Sequence, residues 1–347
     1  MKIWNIGIVG AGMIADFHAK AVGDIENAKV AGFCDGGSGR AKKLAEKFGV
    51  KVFGNYQEMV ESDDINLVAI TTPSGFHLEP CVAAAKAGKH VICEKPLEIT
   101  LERCDAMIEA HKKSGTFLGG IFQSRFNDSL VPLKKAIAEG RFGKITYAGA
   151  YIPWWRPDEY YKDSWHGTWK LDGGGALMNQ SIHTVDLLVD LMGHIESVQA
   201  YMGALGHDIE TEDTSVAAVR FVNGALGIIY GTTASYPGQT RRIEITGTAG
   251  TAVYLDDSFA VWQFAKEEPQ DEEIRKKFGH VSNKTGGSSD PAAIAYQGHT
   301  RNIKAFIDSI ESGRQFVLSG EESRKAVEVV LAIYKSAGQQ RPVNIAG

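Results

Sequence analysis

The tightest constraint on this chain is a glycine turn set between a strand and a helix. An apolar run from about Ile3 to Val9 enters Gly10-Ala11-Gly12-Met13-Ile14-Ala15 and then Asp16-Phe17-His18-Ala19-Lys20-Ala21-Val22, which has helical spacing. In this G-x-G-x-x-A order Gly10 permits a tight turn, Gly12 lets a pyrophosphate approach the backbone, and Ala15 allows close helix–strand packing. The N–H groups that open the helix, at Met13 and Ile14, then meet an anion with the positive end of the helix dipole. Many glycine pairs are plain turns. Here the strand before and the helix after supply the context a dinucleotide fingerprint needs.

A second strand, Lys29 to Asp35, ends in a carboxylate 25 residues after Gly10, close to the usual spacing for holding the adenosine ribose hydroxyls. Asp35 repels a 2′-phosphate, and Gly36 and Gly37 follow it rather than an arginine, which favours NAD over NADP as the cofactor. Arg40 is kept among the cofactor residues because it can fold back to a phosphate; the alternative is a solvent-facing residue of a helix from Gly39 to Phe48. Strands and helices alternate onward to Gln123, with apolar runs that suit a sheet covered on both faces. The expectation is a doubly wound parallel sheet over residues 1–123. Its strand ends at Thr72-Pro73 and Glu94-Lys95-Pro96 lie along the ligand crevice, which adds Thr72, Pro73, His77, Glu94 and Lys95 to the cofactor residues. A lone His77 also fits a local hydrogen-bonding role, and Glu94 a loop ion pair. A partly desolvated lysine at a strand end can be tuned for proton transfer.

From residue 124 to 347 the pattern changes to long alternating strands. Thr214–Val222 and Ala225–Tyr230 flank Asn223-Gly224, a strong hairpin signal, and Arg242–Thr246 pairs with Thr251–Leu255. This region is expected to be an α+β domain with a large, mostly antiparallel open sheet, helix-covered on one face. Residues 266–290 read as an exposed excursion, and two helices, Pro291–Ser312 and Glu321–Ala337, close the chain. An uncovered apolar sheet face predicts a homodimer or homotetramer.

Within this region Gly173-Gly174-Gly175 precedes an apolar helix to Met192 in which Asn179, His183 and Asp186 share one face. They are either satisfied interior groups or a site in which Asn179 orients a substrate hydroxyl and His183 exchanges its proton. Between Ile152 and Lys170 stand four of the six tryptophans, with Arg156, Lys162 and His166. Aromatic rings there suit the C–H face of a sugar. Arg156 and His166 are the substrate residues expected from this loop, and Trp165 and Trp169 its anchors.

A net charge of −5 without a basic run excludes an electrostatic grip on nucleic acid or an anionic membrane. No stretch approaches the roughly 18 apolar residues of a membrane span. Cys34, Cys81, Cys93 and Cys104 are scattered, with no C-x-x-C pair. They read as buried thiols of a cytoplasmic protein, with no metal.

The turn at Gly10, Asp35, the segment Ala87-Gly88-Lys89-His90-Val91-Ile92-Cys93-Glu94-Lys95-Pro96 and the Gly-rich helix through Asn179 and His183 together resemble the Gfo/Idh/MocA oxidoreductases (glucose–fructose oxidoreductase, inositol dehydrogenase, rhizopine catabolism). The resemblance spans both regions in order. It implies a Rossmann domain followed by a substrate-binding and oligomerisation domain, and NAD(P)-dependent hydride transfer to or from the hydroxyl-bearing carbon of a sugar, sugar derivative or cyclitol. By the same resemblance Lys95 matches the lysine that contacts substrate hydroxyl and cofactor, and His183 the catalytic histidine. Asn179 stands where many members carry an aspartate. An asparagine cannot relay a proton, so His183 or Lys95 must carry the acid–base step, with Asn179 assisting. Two other functions fit: an NAD-dependent glycosidase working by transient oxidation and elimination, and a non-catalytic sugar- or NAD-sensing regulator.

Overall fold

The computed structural model describes residues 2–280, 288–289 and 295–345. In chain order its elements are β1 (Trp4–Val9), α1 (Met13–Gly23), β2 (Ala28–Cys34), α2 (Arg40–Phe48), β3 (Lys51–Val52), α3 (Tyr56–Glu61), β4 (Leu67–Ile70), α4 (Leu78–Lys86), β5 (His90–Cys93), α5 (Leu101–Ser114) and β6 (Leu118–Gly120). There follow α6 (Leu130–Ala138), β7 (Ile145–Pro153), a π-helical turn (Ala176–Ser181), α7 (Ile182–Met192), β8 (Ile195–Gly203), β9 (Thr214–Phe221), β10 (Leu226–Thr232), β11 (Arg242–Gly247), β12 (Gly250–Leu255) and β13 (Ser258–Phe264). The chain then forms α8 (Pro269–Phe278), α9 (Gln297–Ser312), α10 (Gly320–Gln339) and β14 (Val343–Asn344). Among the described residues no helix is long and apolar enough to cross a membrane.

The first unit contains residues 1–123 with Lys170–Gly173 and Ala295–Val327. Its six strands run parallel in the order β3-β2-β1-β4-β5-β6. Strands β4 and β5 are buried almost throughout, as the unbroken apolar runs Leu67–Ile70 and Val91–Cys93 require of a sheet covered on both faces. Strand order reverses between β1 and β4, the switch point at which such sheets bind ligands beyond the strand ends. Thr100 caps α5, its Oγ1 accepting the Arg103 N–H.

The second region is therefore not the continuous 124–347 expected from the sequence. The reason lies in β6, an edge strand whose backbone needs partners. Leu318 O accepts the Gly120 N–H, and the Asn302 amide accepts from Phe122 N and donates to Gly120 O. These contacts draw α9 and the segment after it onto the first sheet.

The second unit is built on eight strands in the order β13-β12-β11-β7-β10-β9-β8-β14. All neighbours are antiparallel except β7 and β10, which pair in parallel with Tyr151 opposite Tyr230. Burial alternates residue by residue along β9, so one face is cored and the other open. Gly224, at φ +85°, and the Asn223 side chain, which accepts the Ala225 N–H, make the expected β9–β10 turn.

The excursion expected over 266–290 is corrected over its first half, which forms α8. Glu268 and Asp271 make a reciprocal capping box, Pro269 opens the helix, and Asp271 pairs with Arg141. The glycines of 281–287 and the start expected for the next helix at Pro291 lie outside the described residues.

Candidate active site

In the first unit β1 delivers the chain into the glycine turn. Gly10 sits at φ +106°, and a Cβ there would meet the Thr71 backbone at 2.6 Å, so only glycine fits. A Cβ on Gly12 would meet nothing within 4 Å, and no side chain caps α1, whose first residues are Met13 and Ile14. Open space in front of uncapped amides is what a pyrophosphate needs. At the end of β2, Asp35 Oδ1 accepts the Gly37 N–H, while its Oδ2 accepts Ser38 Oγ–H and the Ala41 N–H. Partial burial raises this carboxyl, but those donors outweigh it and hold it below its ordinary range. Arg40 is the exposed first residue of α2, its Nε donating to Ser38 Oγ at 3.0 Å.

Thr72 and Pro73 follow β4 as expected, with Thr72 Oγ1 donating to Phe76 O. His77 is buried and turned inward: its Nδ1 faces Pro96 O at 3.0 Å and its Nε2 Thr72 O at 3.1 Å. In the described contacts it ties the two strand-end turns together. The Lys95-Pro96 bond is cis, and Lys95 is half-buried. Its backbone N–H donates to Glu94 Oε2.

Glu94 is the centre of a buried group that the sequence did not reveal. Its Oε1 lies 2.8 Å from His18 Nε2 on α1 and 3.5 Å from His299 Nε2 on α9. Burial would raise this carboxyl, yet the two imidazole donors hold it well below the usual range; burial keeps His18 neutral against the pull of Glu94. Among the described residues these three form the one group whose ligand atoms could converge on a metal ion. Here His18 and Glu94 already share a hydrogen bond.

In the second unit the helix expected from Ala176 starts as a π-turn. The Gly175 and Leu177 amides donate to the Glu212 carboxylate and the Ala176 amide to its backbone carbonyl, which leaves the first turn wide. Gly174 and Gly175 are glycines because a Cβ on the first would collide with the Tyr334 hydroxyl and on the second with Glu212 O. Over residues 176–189 every side chain is buried except Asn179 and His183. Asp186, expected on their face, is instead fully buried and held by both arms of Arg125, at 2.7 and 2.6 Å. Asp186 lies with His183 in the regular helix α7, and its partner Arg125, distant in sequence, is what the helical spacing does not show.

After β7 the aromatic loop stacks on itself. His166 lies between Trp165 and Tyr160, with ring centroids 4.1 and 4.2 Å away, and its Nδ1 bonds Ser164. Arg156 is buried, donating to Trp155 O and Ser288 O while its guanidinium covers Trp154 and Tyr160. These contacts give Arg156 a part in holding the loop. Trp169 anchors through Nε1 to Glu210 O, as expected.

A family model described as an oxidoreductase family with an NAD-binding Rossmann fold matches residues 4–120, and the model of the GFO/IDH/MocA C-terminal domain matches residues 131–253. The chain belongs to the Gfo/Idh/MocA oxidoreductase family. Its first region is thus an NAD-binding Rossmann domain. Myo-inositol 2-dehydrogenase of Thermotoga maritima is 29 % identical to this family member over 353 residues, covering 98 % of each chain. Levoglucosan dehydrogenase of Pseudarthrobacter phenanthrenivorans is 27 % identical over 389 residues, covering 99 % of each. Among solved structures, the WlbA dehydrogenase of Bordetella pertussis in complex with NADH and UDP-GlcNAcA superposes with a TM-score of 0.91 at 32 % identity, covering 100 % of this chain and 99 % of that one.

Sequence reasoning missed four residues of this Gfo/Idh/MocA chain: His18, His299, Glu212 and Tyr334. His18 was visible as an imidazole in an otherwise apolar helix face. The other three carry no local signal, since each acts on a segment distant in sequence.

Proposed function

We propose that the chain is a cytoplasmic NAD-dependent dehydrogenase that oxidises a secondary hydroxyl of a sugar, sugar derivative or cyclitol. NAD, when bound, supplies the hydride acceptor. Gly10, Gly12 and the amides of Met13 and Ile14 hold its pyrophosphate, and Asp35 its adenosine ribose. Thr72, Pro73 and Glu94 line the crevice, with His77 bracing their turns. His183 takes the hydroxyl proton, the Asn179 amide hydrogen-bonds a substrate hydroxyl, and Lys95 is a contact for substrate hydroxyl and cofactor. His166, on its aromatic stack, is the contact for the substrate rim.

The observation that carries this reading is the pattern over residues 176–189, where Asn179 and His183 alone escape burial in an apolar helix. A structural pair has no reason to be the two that stay accessible. The test is to incubate the protein with NAD and a panel of pyranoses, cyclitols and nucleotide-linked uronic acid sugars and follow NADH absorbance. The last class enters because the WlbA neighbour is described with UDP-GlcNAcA. With any substrate that reacts, His183→Ala should lower turnover about 10²-fold; unchanged turnover removes His183 from the role, and a silent panel removes the reading.

The four cysteines are buried and unpaired, which supports the cytoplasmic assignment. Association through the second sheet is part of the proposal. Tyr201, Val216, Tyr230, Tyr151 and Arg242 are register neighbours from β8 to β11 on its open face, with Tyr201 76 % exposed. Such a stripe suits a second copy of the same face in a dimer or tetramer. A monomeric mass by sedimentation at micromolar concentration would exclude it.

A further inference from the structure

The turn that carries Asn179 is built around a carboxylate that the dehydrogenase reading does not use. Glu212 precedes β9 and is 2 % exposed. Its Oε2 accepts the Gly175 N–H at 3.0 Å, while its Oε1 accepts the Leu177 N–H at 2.8 Å and the Tyr334 hydroxyl at 2.9 Å. Its backbone carbonyl accepts the Ala176 N–H at 3.0 Å, so three consecutive amides end on one residue. An ordinary N-cap satisfies such amides from the residue just before the helix. Here Gly175 has no side chain to do so, and the cap arrives from 37 residues downstream. The Asn179 N–H in turn donates to Gly175 O at 2.9 Å, so any movement of Gly175 is passed to Asn179.

We infer that Glu212 is a positioning residue: as a carboxylate it fixes the π-turn that presents Asn179 and, four residues on, His183, and when it takes up a proton it releases that turn and turnover falls. This inference rests on the dehydrogenase reading for its kinetic consequence alone. The carboxylate form matches its surroundings, since all three groups facing its oxygens are donors. A neutral carboxyl would turn an O–H against one of them and lose that bond.

Burial opposes the charge, outweighs those donors and pushes the carboxyl up to about 7, so the turn changes state near neutrality. Tyr334 on α10 is the titratable side chain bonded to Glu212, and burial raises its own hydroxyl well above the usual range. Asp213, next in the chain, is turned toward the amides of Leu205, Gly206 and His207. The π-turn itself carries no ionisable residue.

The experiment follows the Gly175 and Leu177 amide signals of the full-length protein by NMR from pH 5.5 to 8.5. Both should titrate together near pH 7, and the titration should vanish in Glu212→Gln. Tyr334→Phe, a milder change that removes one donor to the carboxylate, should move the midpoint up by about one pH unit. With a substrate the wild type oxidises, Glu212→Gln should lower kcat about tenfold with KM within twofold and abolish one limb of the kcat–pH profile, and Tyr334→Phe should displace that limb upward. Amides that stay flat across the range overturn the inference. So does a Glu212→Gln enzyme with wild-type kcat and pH profile. If no sugar or cyclitol reduces NAD, the dehydrogenase reading fails separately, and the amide titration by itself decides whether Glu212 holds the turn.

Discussion

Glu94 and Glu212 are the same residue type, buried to the same degree, and they are driven in opposite directions. Glu94 is 5 % exposed and is held well below the usual carboxylate range; Glu212 is 2 % exposed and is pushed up to about 7. Glu94 accepts from the His18 ring and the Lys95 N–H with the His299 ring 3.5 Å away, and Glu212 accepts from two amides and the Tyr334 hydroxyl, so the number of facing groups does not separate them. The kind of donor does. Two imidazole side chains face Glu94, His18 at hydrogen-bond distance, whereas Glu212 meets only backbone amides and a phenol. Burial raises both carboxyls, and the hydrogen-bonding groups beside each set the outcome.

The comparison breaks most visibly if His18 is removed. His18→Ala leaves a buried carboxylate without its shortest donor and should cost about 3–5 kcal/mol in urea unfolding at pH 7. A loss below about 1 kcal/mol would mean that Glu94 does not depend on the ring. Next comes pH. A carboxyl raised from 4.5 to about 7 binds more protons folded than unfolded, so its contribution falls as pH rises through that window. Wild-type stability should therefore drop by about 3 kcal/mol relative to Glu212→Gln between pH 4 and 8. For Glu94 the sign reverses. Its folded carboxyl is depressed, so stability gained over Glu94→Gln is present above about 4.5 and is lost as pH falls through the lower folded value. Parallel slopes for the two variants would erase the contrast. The smallest effect is expected at His299→Leu, about 1–2 kcal/mol, because its nitrogen stands 3.5 Å from Glu94 where His18 stands at 2.8 Å.

The first sheet was legible because its signals are local: a glycine turn between strand and helix, apolar runs, Thr100 before α5. Lys95 was legible as a strand end, and Asn179 and His183 as polar residues in an apolar helix. The second sheet was read at β7, as a strand from Lys144 to Tyr151, and where turns announced it, at Asn223-Gly224 and at the glycines beside Thr248; β8 and β13 carry no such punctuation and were not anticipated. The helix α8 did have its signal, Glu268-Pro269-Gln270-Asp271, hidden within a charged run taken for a solvated excursion. What stayed invisible was long-range. His299 reaches Glu94 from α9, Glu212 reaches back to Gly175, and the π-turn exists because of that reach. Local propensity contains no term for a partner that arrives from a distant segment.

The assignment of Ala295–Val327 to the first unit bears on how the chain is made. The strand edge at Gly120 is made well before its partners, Asn302, 182 positions further on, and Leu318. A unit that looks N-terminal in sequence is thus completed only when residues 295–327 have been made. Until those partners are made, its outer strand edge is an open template for pairing with neighbouring nascent chains.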